Sequence, residues 1–89
     1  MTGAAGGNTL LGYEAGAGIV TGSNNTIIGS QAGTSITGQT NICIGQGATV
    51  PVVANSNQIA LGTSAETMFI RGGFNWRIGA TIVGTTTLG

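Results

Sequence analysis

The sequence predicts an all-β chain folded as a parallel β-solenoid or β-roll of about four coils, each 16–17 residues long. Three observations lead there. Gly12, Gly29, Gly45 and Gly62 lie 17, 16 and 17 residues apart and anchor a repeat. Within each repeat, the apolar residues fall in runs of three to five, too short for helices and sized for short strands. Turn clusters rich in Gly, Asn, Ser and Thr separate the runs.

The repeat is specified at several positions. A large aliphatic precedes each glycine (Leu11, Ile28, Ile44, Leu61), and an alanine follows three residues later (Ala15, Ala32, Ala48, Ala65). Another apolar residue stands seven after: Ile19, Ile36, Val52 and Phe69. Four before the glycine come Asn8, Asn25 and Asn41, replaced in the fourth repeat by Gln58 with Asn57 one step off.

The first run is Thr9–Leu11, Thr26–Ile28, Asn41–Ile44 and Gln58–Leu61. A second run is expected to place Ala15, Ala17 and Ile19, then Ala32, Thr34 and Ile36, then Ala48, Val50 and Val52, on one side of a strand. The corner glycines admit a bend that a Cβ would obstruct. The Asn series is suited to a hydrogen-bonded ladder along the turns. Pro51 falls in the second run of the third repeat, where its missing N–H removes a bond and predicts a bulge.

Strand alternation divides the first run into two rows. Thr9 with Leu11, Thr26 with Ile28, Ile42 with Ile44 and Ile59 with Leu61 are expected to fill the coil. Leu10, Ile27, Cys43 and Ala60 then point outward as an apolar stripe, and are the predicted contacts between chains.

Composition supports association. Eighty-nine residues hide only about two thirds of their surface, so a domain of this size needs reinforcement. One cysteine, Cys43, excludes an internal disulfide, and the absence of His and Asp removes the best metal ligands. Only Glu14, Glu66, Arg71 and Arg77 carry charge. With no Lys, nucleic acid is a poor partner. Eighteen glycines without a Gly-X-Y period exclude collagen. No apolar stretch approaches the roughly 20 residues of a membrane span, so membrane insertion is not expected. Met1-Thr2-Gly3-Ala4-Ala5 lacks the basic and apolar regions of a signal peptide.

The segments Asn8 to Gly16 and Asn25 to Gly33 share the pattern Asn-Thr-x-Ile/Leu-Gly-x-x-Ala-Gly. This pattern resembles the head repeats of trimeric autotransporter adhesins and of trimeric phage and viral fibres. Asn57 to Phe74 looks more like viral fibre proteins, with the cell-wall attachment spikes of large algal viruses as the nearest likeness. The resemblance covers residues 8 to about 74 and implies a left-handed, homotrimeric β-roll in an attachment structure, with no catalytic residues. The repeats here are longer than those of adhesin heads, which implies looser turns.

Other chemistry finds little footing. Glu14 and Glu66, three repeats apart, would lie about 14 Å apart along a stack, too far for a glycosidase pair. Cys43, flanked by Ile42 and Ile44, has no electropositive neighbour in sequence and reads as inert. Gly16 to Gly22 lacks the spacing of a dinucleotide loop. Ile44 to Ala48 is like one hexapeptide of the acyltransferase β-helices, without their six-residue period or histidine. No enzyme activity, catalytic residue, metal site or cofactor is therefore expected. Asn24-Asn25-Thr26 fits a glycosylation acceptor, with a turn ladder as the competing role.

The one chemically distinct patch is Phe69 to Arg77, which holds three of the four aromatics and both arginines. Arg71, Phe74, Trp76 and Arg77 are candidates for contact with a glycan or protein partner; the alternative is that Phe69 continues the core while Phe74 and Trp76 cap the stack.

The chain is thus expected to divide into a lead-in at 1–7, truncated from a longer chain, β-roll repeats at 8–73, and a cap or transition to a next module at 74–89. The expected role is a structural and adhesive segment of a fibre or spike on the virion surface, attaching to host glycans or cell wall. A bacterial surface adhesin head is the alternative. An ice-binding solenoid would need threonine in every repeat, and Thr9 and Thr26 give way to Ile42 and Ile59.

Overall fold

The computed structural model describes residues 6–79 and 81–86, with 76–78 and 81–86 described by backbone alone. Its elements are β1 (Thr9–Leu11), β2 (Thr26–Ile28), β3 (Ile42–Ile44), β4 (Ile59–Leu61), β5 (Phe74–Ile78) and β6 (Thr81–Thr86), with no helix among the described residues. The first four form one parallel sheet in the order β1-β2-β3-β4. This arrangement is compatible with a β-solenoid or β-roll.

Register follows the repeat. Thr9 pairs with Thr26, Thr26 with Ile42 and Ile42 with Ile59. The connections are long enough for parallel strands, which need about a dozen or more linking residues. Hydrogen bonds run both ways between neighbouring repeats. The N–H groups of Thr9, Thr26 and Ile42 donate to the carbonyls of Asn25, Asn41 and Gln58 at 2.8, 2.8 and 2.9 Å. The N–H groups of Gly29, Gly45 and Gly62 donate to the carbonyls of Leu11, Ile28 and Ile44 at 2.8, 2.8 and 2.7 Å.

The corner glycines stack on one another. Gly12 and Gly29 hold φ values of 125° and 132°, a region that side chains rarely enter. A Cβ on Gly29 would lie 2.6 Å from the backbone carbonyl of Gly45. Glycine is therefore required by contact as well as by torsion.

After each corner the chain turns instead of forming the expected second strand. Ala15, Ala32 and Ala48 N–H groups donate back to the carbonyls of Gly12, Gly29 and Gly45 at 3.2, 3.2 and 3.0 Å. Left-handed residues recur at Glu14, Gly16 and Gly18, then at Gln31, Gly33 and Ser35. These wind the backbone too tightly for a pleat, so strict alternation fails: Thr34 is exposed while Ile36 is buried. In the third repeat the corresponding places after Gly47 hold Thr49 and Pro51, neither left-handed. The more extended path reaches the interior earlier, so Val50 is buried and Val52 exposed.

Pro51 loses a bond as its chemistry requires. Ser35, six residues after Gly29, donates its N–H to the Ala17 carbonyl at 2.8 Å. Pro51 holds the same place after Gly45 and has no N–H to give. The anticipated bulge does not arise, because no strand forms there.

The core consists of Ile19, Ile27, Ala32, Ile36, Cys43, Ala48 and Val50, with Leu10, Ala15 and Ala60 packed against it. The fourth repeat contributes least, because Ala65 is exposed and Phe69 is 85% exposed. The expectation that Phe69 continues the core is therefore corrected. The chain runs on without strand structure until β5 and β6, which pair antiparallel with an irregularity between Trp76 and Arg77. Among the described residues, the backbone of this hairpin lies close to none of β1–β4.

Candidate interaction face

The middle residue of each short strand points into the stack, which reverses the assignment of rows made from the sequence. Ile27 and Cys43 are fully buried, and Leu10 and Ala60 are half-buried against the same core. These four side chains fill the interior and are not available as contacts between chains. Their neighbours turn outward: Leu11 is 64% exposed, Ile59 69% and Leu61 52%, with Ile44 at the edge of exposure.

The outward row is Thr9, Leu11, Thr26, Ile28, Ile42, Ile44, Ile59 and Leu61, two side chains per strand on one face of the parallel sheet. Six of the eight are large aliphatics, and none is charged. Parallel sheets are ordinarily covered on both faces. Here one face meets the core and the other meets solvent in a single chain. The missed signal was polarity: the outward row contains Thr9 and Thr26, whereas the middle row is apolar throughout.

The carboxamide ladder forms as its spacing predicted. Asn8 Oδ1 accepts the Asn25 N–H at 2.9 Å, Asn25 Oδ1 the Asn41 N–H at 2.8 Å, and Asn41 Oδ1 the Gln58 N–H at 2.8 Å. The Nδ2 groups of Asn8, Asn25 and Asn41 donate to the carbonyls of Gly22, Gly38 and Asn55 at 2.9, 3.1 and 3.0 Å. Asn25 and Asn41 are thus buried with both ends of the amide satisfied. The ladder takes Asn25, while Asn24, the acceptor position of the Asn24-Asn25-Thr26 motif, is exposed in a left-handed corner at φ 56°.

The glutamates take up local roles. Glu14 accepts a hydrogen bond from Gln31 Nε2 at 3.2 Å. Glu66 Oε2 accepts both the hydroxyl and the N–H of Thr63, which hold its carboxyl below the ordinary range. Burial pushes the Cys43 thiol upward, opposed in part by a backbone hydrogen bond to Val50. Among the described residues no three His, Cys, Asp or Glu side chains gather as a metal site, and no helix is long and apolar enough to cross a membrane.

Of the glycan or partner candidates, Arg71 is exposed and Phe74 is half-buried at the start of the hairpin. The side chains of Trp76 and Arg77 lie outside the described residues. Met68 and Ile70 are exposed alongside Phe69, so the approach to the hairpin is itself apolar and open. No protein-family model, curated protein or solved structure matches the chain.

Proposed function

We propose that this chain is a structural and adhesive segment of a viral fibre or spike, a β-solenoid of four 16–17-residue coils that associates as a homotrimer on the virion surface. It attaches the particle to glycans or cell wall of the host by rigid display. The observation that carries the reading is the uncharged aliphatic sheet face on which a single chain leaves Leu11, Ile44, Ile59 and Leu61 exposed and Ile28 and Ile42 half-buried. An apolar sheet face on a chain with four charged residues favours sister chains as its cover. The buried carboxamide ladder gives the stiffness that a fibre segment needs. Three chains, rather than two, and the attachment role follow from the likeness of Asn8 to Gly33 to trimeric adhesin and fibre repeats.

Sedimentation equilibrium of the chain tests the first half: a mass of three chains is expected, and a well-folded single chain overturns the reading. Pelleting of the chain with isolated algal cell walls, against bacterial cells as the comparison, tests the second.

A further inference from the structure

The column of glycines and the column of carboxamides both end at the fourth repeat, and each ends differently from the way it runs. Asn8, Asn25 and Asn41 reach forward, each Oδ1 taking an N–H of the following repeat. Gln58, one methylene longer, reaches back. Its Nε2 donates to the Val52 carbonyl at 2.8 Å and the Asn55 carbonyl at 3.1 Å, and lies 3.4 Å from Asn41 Oδ1. All three acceptors precede it in the third repeat.

The glycine column changes in parallel. A Cβ on Gly12 or Gly29 would meet the backbone of the next glycine in line at 2.7 or 2.6 Å. On Gly62 the nearest atoms belong instead to the Glu66 side chain, at 3.3 Å. That side chain is tied down by its hydrogen bonds from Thr63. Glu66 thus stands where the glycine of a further repeat would lie. Gln58 meanwhile is anchored through Nε2 to the third repeat, where the equivalent amides of Asn8, Asn25 and Asn41 donate forward to Gly22, Gly38 and Asn55.

These two side chains matter because the edge they guard is otherwise open. β4 is the last strand of its sheet, and β5 and β6 pair with each other in a separate sheet. An unpaired strand edge is a template for another chain. The shared register of the repeats makes β1 of a second copy the natural strand to add, and such head-to-tail contacts grow without closing.

We infer that Gln58 and Glu66 close this end of the stack against a second copy of the chain, so that copies meet side by side through the aliphatic face and not end to end. The side-by-side half rests on the function proposed above; the end-closing half stands on the two side chains alone. A chain docking on β4 would have to displace Glu66 from Thr63 and draw the Gln58 amide away from the Val52 and Asn55 carbonyls before the ladder could continue.

The test is a concentration series in sedimentation velocity, with negative-stain microscopy, comparing the parent with Gln58→Asn/Glu66→Ala. The expected result is one particle size for the parent and, for the variant, a sedimentation coefficient that climbs with concentration as thin rods lengthen. A variant that keeps its β spectrum and the parent's size at every concentration overturns the inference. Should the double variant fail to fold, Gln58→Asn alone carries the same comparison, since it restores the residue of the lower repeats. A single-chain parent whose variant still forms rods overturns side-by-side association and supports end closure. A trimeric parent whose variant does not grow does the opposite.

Discussion

Asn25 Oδ1 receives the backbone N–H of Asn41 at 2.8 Å, with both residues buried, so that one side chain does the work of a ladder bond between adjacent repeats. The same amide donates to the Gly38 carbonyl at 3.1 Å. Asn25→Leu keeps the approximate volume and strands both groups. Each buried group left unsatisfied costs roughly 1–3 kcal/mol. Urea unfolding should therefore show a lowered midpoint; an unchanged midpoint would mean that the ladder contributes nothing.

Two glycines with similar freedom should behave differently. At Gly29 an alanine Cβ would fall 2.6 Å from the backbone of Gly45, which has no flexible end to yield. Gly47 holds φ 68° with nothing within 4 Å of the added atom. Gly47→Ala should cost only about 1–2 kcal/mol for the left-handed conformation. Gly29→Ala should abolish cooperative melting by circular dichroism. Equal losses at the two sites would show that the glycine column is not in contact.

The reversed rows give a paired test of the interaction face. Ile27 is fully buried and Ile59 is 69% exposed, although they stand one residue out of phase in equivalent strands. Ile27→Lys should unfold the chain. Ile59→Lys should leave the β spectrum intact, with an effect on the single chain within about 0.5 kcal/mol, and should lower the sedimentation mass toward one chain. If Ile59→Lys leaves a multimeric mass untouched, the face is not where chains meet.

Cys43 makes stability depend on alkaline pH. Desolvation holds its thiol above the ordinary value of 9.0, so the folded state favours the neutral form. The unfolded chain ionises first as the solution becomes more basic. The contribution is therefore complete below about pH 9 and is lost as pH rises toward and through the folded value. Urea midpoints measured from pH 8 to 10 should fall for the parent and fall less for Cys43→Ala. Identical profiles would show that the buried thiol does not couple to folding.

Much of this was legible in the sequence because stacking converts a linear period into vertical columns. The spacing of Gly12, Gly29, Gly45 and Gly62 located the corners, and Asn8, Asn25 and Asn41 located the ladder. Which side of the strand faces inward was not legible by alternation alone. Strands such as Ile42-Cys43-Ile44 are apolar on both sides, so a three-residue pattern fits either phase. The second run misled for a different reason. Its alternating small residues imitate a pleat, yet Glu14 and Gln31 adopt left-handed backbone that few non-glycine residues take. The fourth repeat keeps the sequence pattern as far as Phe69 without closing over the core, and nothing in the pattern marks where Glu66 interrupts it.

Because the four parallel strands, among the described residues, pair in sequence order, tension along the stack meets its layers one after another. Under load the stack should unspool from an end, one layer at a time. Each layer would release roughly 50–60 Å of chain at the rise of extended backbone. Resistance to pulling is then spread over successive small yields.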